Sequence, residues 1–144
     1  MSTVAQIMTK RPKSVGPKTS VVSAAKTMRS ARVGSLLVKK GTQLVGIVTD
    51  TDIVRRAVAT SKPLGKLTVD KIITTPLCTI EGTASVEDAQ AMMGDLGVRH
   101  LAVTKGGMLV GVVSVRDVML SYRKSARSQG AAEERYSEPK IGQD

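Results

Sequence analysis

The chain has 144 residues, 41% of them hydrophobic, with 22 Lys/Arg against 12 Asp/Glu and a formal net charge of +10. That length holds one compact unit or two small halves sharing a core, and no apolar run approaches the roughly 20 residues that cross a bilayer. One Cys, one His, two Tyr and neither Phe nor Trp exclude an intrachain disulfide, leave a weak case for a zinc site or a Cys–His nucleophile, and argue against single-strand binding by base stacking.

The N-terminal segment carries Lys10, Arg11, Lys13 and Lys18 in place of an apolar signal core, so the expected location is the cytoplasm. After Pro12, Lys13-Ser14-Val15 reads as a short extended segment. Thr19 or Ser20 is placed to cap a helix whose apolar positions Val21, Ala24, Ala25 and Met28 recur near every 3.6 residues. Two apolar runs, 35–38 and 43–48, flank Lys39-Lys40-Gly41-Thr42, a hairpin signal. Asp50, Thr51 or Asp52 then caps a second helix over about 53–59. Residues 60–68, with Ser61, Pro63 and Gly65, read as a linker. The order then returns. Thr83 or Ser85 caps a helix with Glu87 and Asp88 in its first turn, where the helix dipole favours carboxylates. Gly106-Gly107 turns a hairpin between 101–103 and 108–113, and Asp117 leads into a helix through Leu120 and Tyr122. From Ser125 the pattern decays into a polar tail, expected to be frayed helix followed by disorder. Met28, Met92 and Met93 sit at core spacings, and Cys78 reads as a small packed apolar group.

The return has a fixed offset of 65 residues. Gly46-Ile47-Val48-Thr49-Asp50-Thr51-Asp52 comes back as Gly111-Val112-Val113-Ser114-Val115-Arg116-Asp117, and Val4, Ile7, Val21, Ala24, Met28 and Val33 pair with Val69, Ile72, Val86, Ala89, Met93 and Val98. Only Pro12 and Pro76 break step, at 64. The chain therefore divides into copies at 1–62 and 63–124 and a tail at 125–144. Each copy is too small to bury its apolar face alone, so the repeat predicts a pseudo-twofold module with two equivalent clefts. Charge is uneven: residues 1–66 hold 13 Lys/Arg against 2 Asp/Glu, whereas 67–122 hold 4 against 6. The basic half is a surface that attracts polyanions, or simply one that keeps the protein in solution.

The repeated segment has a chemistry of its own. An Asp at a helix start, when free of capping, presents two acceptor oxygens to the vicinal hydroxyls of a ribose. The Ser or Thr three residues earlier donates to a phosphate, and helix N-termini favour that anion. Gly46 and Gly111 allow close backbone approach, which lets main-chain amides read a purine edge. The alternative is that Asp52 and Asp117 only cap helices and the glycines only relieve the strand.

Glycine, two apolar residues, Ser or Thr, any two residues, then Asp, twice at identical places in a repeat, resembles the CBS-domain pattern. Residues 1–122 resemble a tandem pair of CBS domains, a Bateman module. The resemblance implies an α+β (α/β) fold of two pseudo-twofold-related repeats, each a small three-stranded sheet with two helices. It implies clefts for adenosine-containing ligands (AMP, ADP or ATP, with S-adenosylmethionine as the phosphate-free alternative) and no required cofactor. One cleft is expected to combine Thr49, Thr51 and Asp52 with Pro76, Leu77, Cys78, Arg99 and His100. Its mirror is expected to combine Ser114, Arg116 and Asp117 with Pro12, Lys13, Ser14, Gly34 and Ser35. Arg99 and His100 make the first the expected phosphate site, His100 conditionally on pH. Ile47, Leu77 and Val112 serve as aliphatic walls for adenine.

Nothing in the sequence forms an acid/base pair, metal cluster or phosphate loop of the GxxxxGK type, so the expected role is non-catalytic: a regulatory module that signals ligand binding to a partner protein. Such pairs form homodimers, and Ile53, Val54, Val118 and Met119 suit that packing. The alternative function is nucleic-acid binding through the basic half.

Overall fold

The structure, a computed structural model, describes residues 2–75, 77–128 and 142. Its elements follow the sequence order: helix α1 (Val4–Ile7), strands β1 (Thr9–Lys10) and β2 (Ser14–Val15), helix α2 (Val21–Ala31), and the hairpin β3 (Ser35–Lys40) and β4 (Gln43–Thr49). A helical segment follows, α3 (Asp50–Asp52), continued by a π-turn over Ile53–Ala57 and a 3₁₀ turn over Val58–Thr60. The second copy gives β5 (Thr79–Glu81), α4 (Val86–Leu96), the hairpin β6 (His100–Lys105) and β7 (Met108–Ser114), and α5 (Val115–Ser128).

Local chemistry explains these boundaries. Ser20 and Ser85 cap α2 and α4 by accepting hydrogen bonds from Ser23 N and Asp88 N, each satisfying an orphan donor of the first turn. The helix after the first motif is capped by Thr49 rather than by Asp50, Thr51 or Asp52. Thr49 Oγ1 accepts from Asp52 N at 3.1 Å while Asp52 Oδ2 accepts from Thr49 N at 3.0 Å, so the aspartate is the third helical residue of a capping box. Ser114 and Asp117 make the same reciprocal pair at 3.1 and 2.9 Å. Helix α5 runs regularly to Ser128, past the expected start of the tail. The rest of the tail, Gly142 apart, lies outside the described residues.

Strands β2, β3 and β4 form one sheet; β1, β7, β6 and β5 form the other. Both sheets place a parallel pair beside an antiparallel hairpin, and both hairpins shift register at equivalent positions, Val38/Lys39 and Val103/Thr104. The second sheet has four strands, one more than expected, because the N-terminal β1 pairs with β7 (Thr9 with Val112, Lys10 with Gly111). The counterpart in the first sheet is a single bridge between Ile47 and Thr74.

That extra strand belongs to a reciprocal exchange. Val4 is fully buried in a core with Ile80, Val86, Met93, Leu101 and Val113 of the second copy, while Val69 and Ile72 are buried with Val21, Met28, Leu36 and Val48 of the first. The same hydrogen bonds hold both crossovers: Val4 N to Ala84 O (2.8 Å) and Ala5 N to Gly82 O (2.9 Å) match Val69 N to Thr19 O (2.9 Å) and Asp70 N to Pro17 O (3.1 Å). Each packing unit therefore borrows the start of the other sequence copy, and its limits are not those of the repeat at 62/63. Leu64 and Leu67 pack on the first core, so the segment read as a linker is partly structural. Met28 and Met93 are core residues, and Met92 and Cys78 pack against the second core. Ile53 is half-buried and Val118 only 4% exposed, whereas Val54 and Met119 are 60% and 65% exposed.

Candidate functional site

Where the two copies meet, the C-terminal ends of the hairpins and the starts of the following helices enclose a cavity of about 560 Å³. It is lined by the second motif and its flank: Val112, Ser114, Val115, Arg116 and Asp117, with Leu120 further along α5. Thr9 of β1 and Arg11, Pro12 and Lys13 from the segment between β1 and β2 also line it. The turn after α2 and the start of β3 contribute Arg32, Val33, Gly34 and Ser35, and Asp50, Arg99 and His100 complete the lining.

Seven of the expected second-cleft residues were Ser114, Arg116, Asp117, Pro12, Lys13, Gly34 and Ser35, and all of them line this cavity; Ser14, exposed on β2 and paired with Leu37, does not. Arg99 and His100, expected in the first cleft, also line it. The hairpin register gives the reason: His100 lies directly opposite Ser114 across the β6–β7 pair, so the strand ladder delivers it beside its own copy's motif. Gly34 makes room there, since a Cβ on it would sit 3.2 Å from Asp50 Oδ2 and 3.6 Å from His100 Nε2. Thr49, Thr51, Asp52, Leu77 and Cys78 do not line the cavity, and Pro76 lies outside the described residues.

The two motif aspartates differ in what their oxygens do. Asp52 is only 6% exposed. Its Oδ2 accepts from Thr49 N, and its Oδ1 accepts from Thr74 Oγ1 at 3.3 Å and lies 3.7 Å from Arg56 Nε. Arg56 Nη1 in turn donates to Ile73 O at 3.3 Å, which ties the carboxylate to the exchanged segment. For Asp117, Ser114 N and Ser114 Oγ both donate to Oδ2, at 2.9 and 3.0 Å. Its Oδ1 has no hydrogen bond among the described residues and belongs to a residue lining the cavity. The motif glycines are close-approach sites, but for the chain's own backbone: a Cβ on Gly111 would meet Met8 Sδ at 2.6 Å and Thr9 O at 2.7 Å, and one on Gly46 would meet Thr74 O at 3.3 Å.

Five cationic side chains (Arg11, Lys13, Arg32, Arg99 and Arg116) surround the cavity with two carboxylates, Asp50 and Asp117. Burial holds the His100 imidazole below its ordinary pKa of 6.5, with Arg99 acting the same way and Asp50, Asp117 and Asp52 opposing. The resting site thus offers a neutral imidazole among fixed positive charges, a free carboxylate oxygen, and the apolar Val33, Val112, Val115 and Leu120. Such a set can hold a flat apolar body with a hydroxylated centre and an anionic end. Of the lining, Thr9, Arg11, Arg32 and Asp50 were not singled out from sequence. A signal existed for Arg32, which the 65-residue offset aligns with Gly97 at the end of the equivalent helix.

Among the described residues no group of three or more His, Cys, Asp or Glu could hold a metal ion, and no helix is long and apolar enough to cross a membrane.

Comparison with known proteins places this geometry in a family. The CBS domain profile matches residues 4–59 and 69–124. The chain is 36% identical over 114 residues to YlbB of Bacillus subtilis, covering 78% of this chain and 76% of that protein. It is 31% identical over 132 residues to the CBS domain-containing protein YhcV of the same organism, covering 92% and 93%. Among solved structures, a protein with CBS domains from Burkholderia ambifaria superposes with a TM-score of 0.80 at 31% identity over 84% of this chain and 93% of that one. A Pyrococcus horikoshii protein gives 0.80 at 28% identity over 85% and 92%. Two family matches cover most of the chain on the two halves of a pseudo-twofold fold: this protein belongs to the CBS-domain family, with two CBS domains in tandem.

Proposed function

We propose that this CBS pair is a non-catalytic sensor that binds an adenine nucleotide in the cavity at the second motif and signals occupancy to a partner protein. Tandem CBS domains are typically regulatory, ligand-binding modules, and an adenine nucleotide is the ligand proposed for this one. The observation that carries it is Asp117, whose Oδ1 is unengaged among the described residues, lining a cavity of about 560 Å³ ringed by five cationic side chains. The carboxylate suits ribose hydroxyls, the valines and Leu120 suit adenine, and the cations suit phosphate. On this reading the phosphate preference moves to the second cleft, opposite to the expectation from sequence. S-adenosylmethionine would use the carboxylate and the apolar wall but leave the cations without a counter-charge.

The absence of Trp and Phe lets bound adenine dominate the ultraviolet spectrum. Protein freed of nucleic acid is dialysed against AMP, ADP, ATP or S-adenosylmethionine, then denatured, and the released compound is identified by mass spectrometry. Retention of an adenine nucleotide by the wild type, lost in Asp117→Ala, supports the proposal. Failure to retain any adenosine compound overturns it.

The 13 Lys/Arg of residues 1–66 favour a second reading, binding of nucleic acid. Three of them, Arg11, Lys13 and Arg32, line the cavity, so part of that excess already has a small-ligand use. Affinity for duplex DNA that falls steeply with salt and is abolished by Lys39→Glu with Lys40→Glu, nucleotide retention being intact, would favour nucleic acid.

A further inference from the structure

Helices α2 and α4 end in the same backbone turn with different residues at its apex. Val33 N donates to Met28 O at 3.1 Å, and Val98 N donates to Met93 O at 3.0 Å. The residue closing each helix is left-handed: Gly97 with φ 66°, Arg32 with φ 55°. Glycine adopts that conformation without steric penalty, whereas a side chain crowds the following carbonyl. Repeat two has the unstrained residue at this turn; repeat one has an arginine.

The turn's backbone bonds, Arg32 N to Arg29 O and Val33 N to Met28 O, close the helix, but no side-chain contact among the described residues offsets the strain. Arg32 is exposed, and its side chain has no hydrogen bond or ion pair among the described residues. Arg11 repeats the pattern. Its φ is 53°, and it precedes Pro12, whose ring disfavours compact backbone at the residue before it. Arg11 is also exposed and without a side-chain partner among the described residues. Three non-glycine residues have positive φ among those described: Arg11, Arg32 and Ser61. Both arginines line the same cavity, and they approach it from different segments. Residues in sparsely populated backbone conformations cluster at ligand clamps and switch regions.

We propose that Arg11 and Arg32 are the two arms of a polyphosphate clamp, and that the cleft takes a nucleoside di- or triphosphate in preference to a monophosphate. The proposal rests on the adenine-nucleotide reading above and narrows it. Five cationic groups face two carboxylates, an excess that one phosphoryl group cannot match. A longer phosphate chain supplies more charge, more acceptor oxygens and more reach to meet arginines that come from separate segments, each able to bind in two-pronged fashion.

The test is calorimetric titration of AMP, ADP and ATP into wild-type protein, Arg32→Gly and Arg32→Lys, with melting curves of each unliganded form. Wild type is expected to bind ATP or ADP more tightly than AMP. Arg32→Gly is expected to lose roughly tenfold in ATP affinity, to lose less for AMP, and to melt at or above the wild-type temperature because the glycine relieves the turn. Arg32→Lys keeps the charge and recovers part of the loss. Equal wild-type affinity for AMP and ATP, or unchanged ATP affinity in Arg32→Gly, overturns the clamp and leaves the nucleotide reading standing. Wild-type protein that binds none of the three overturns both.

Discussion

Thr74 Oγ1 donates to Asp52 Oδ1 at 3.3 Å, and the equivalent pair 65 residues away, Thr9 and Asp117, makes no such bond among the described residues. Arg56 reinforces the difference, because its guanidinium lies between Asp52 and the carbonyls of Ile72 and Ile73; the equivalent position in the second copy is Ser121, whose hydroxyl donates to its own helix at Val118 O. One repeated sequence thus yields two carboxylates in different settings. Asp52 staples the exchanged segment to the first copy, and Asp117, a cavity-lining residue, has an Oδ1 without a hydrogen bond among the described residues.

Substituting the two aspartates should therefore separate stability from binding. Asp52→Ala leaves Thr49 N and Thr74 Oγ1 without their acceptor and Arg56 without its ion-pair partner, and is expected to cost about 1–3 kcal/mol of unfolding free energy with little change in nucleotide affinity. Asp117→Ala loses one capping acceptor and, on the proposed reading, the acceptor for the ribose, so its larger effect is expected on affinity, by roughly tenfold or more. Denaturant unfolding and calorimetry on both variants check the pair. Equal affinity losses would contradict the division of roles.

The glycines should rank by what they face. A methyl at residue 111 collides with Thr9 O at 2.7 Å as well as Met8 Sδ at 2.6 Å, and a backbone oxygen in a strand pair has nowhere to go. At residue 46 the nearest atoms are Ile73 Cδ1 at 3.2 Å and Thr74 O at 3.3 Å, which a small shift accommodates. Gly111→Ala is expected to be destabilising by roughly 1–3 kcal/mol and to loosen β1 from β7; Gly46→Ala should cost less. Melting temperatures decide the order, and amide exchange at Lys10 reports the strand.

Much of the fold was legible because the repeat doubles every local signal: the serine caps, the glycine hairpins and the alternation of apolar residues all occur twice in register. The exchange of N-terminal segments was not legible, since Val4 and Val69 look alike and either could pack on either core. Which cleft receives Arg99 and His100 was written in the pairing of His100 with Ser114, but a hairpin read only as two apolar runs does not carry its register to the end. The closure of Asp52 depends on Thr74 and Arg56, residues 22 and 4 positions away, which share no motif with it. The left-handed arginines left only the contrast with Gly97 as a trace.

The reciprocal packing makes a prediction about cutting the chain. Residues 1–62 alone lack Val69 and Ile72, both buried in the first core, and residues 63–124 alone lack the fully buried Val4 and the strand β1. Burying one such aliphatic side chain contributes about 1.5–3 kcal/mol, a large fraction of the stability of a half this small. Neither fragment is expected to show a cooperative unfolding transition by circular dichroism, whereas the mixture should recover one. Val4→Ala in the whole chain is a milder version and should destabilise the second copy first, seen as faster amide exchange at Leu101 and Val113 than at Leu36 and Val48.

His100 gives the stability a pH dependence whose sign follows from its surroundings. Burial, with help from Arg99, holds its folded pKa below 6.5, against the pull of Asp50, Asp117 and Asp52. Below that pH the unfolded chain takes up the proton more readily than the folded one, so stability falls as pH drops through 6.5 toward the folded value and levels off beneath it. Asp70 acts in a separate, lower window: Lys18, 2.8 Å away, holds its carboxyl below 3.8, and the stability it contributes is lost only as pH falls through that depressed value. Urea unfolding between about pH 7.5 and 5.5 should therefore show declining stability in the wild type and a flatter line in His100→Gln. A bound phosphate chain beside the imidazole would favour its protonated form, reversing the sign: in the same interval, nucleotide binding should take up a proton and tighten as pH falls. Calorimetry in buffers of different ionisation enthalpy measures that proton directly, and binding with no proton uptake at pH 6 would place the phosphates away from His100.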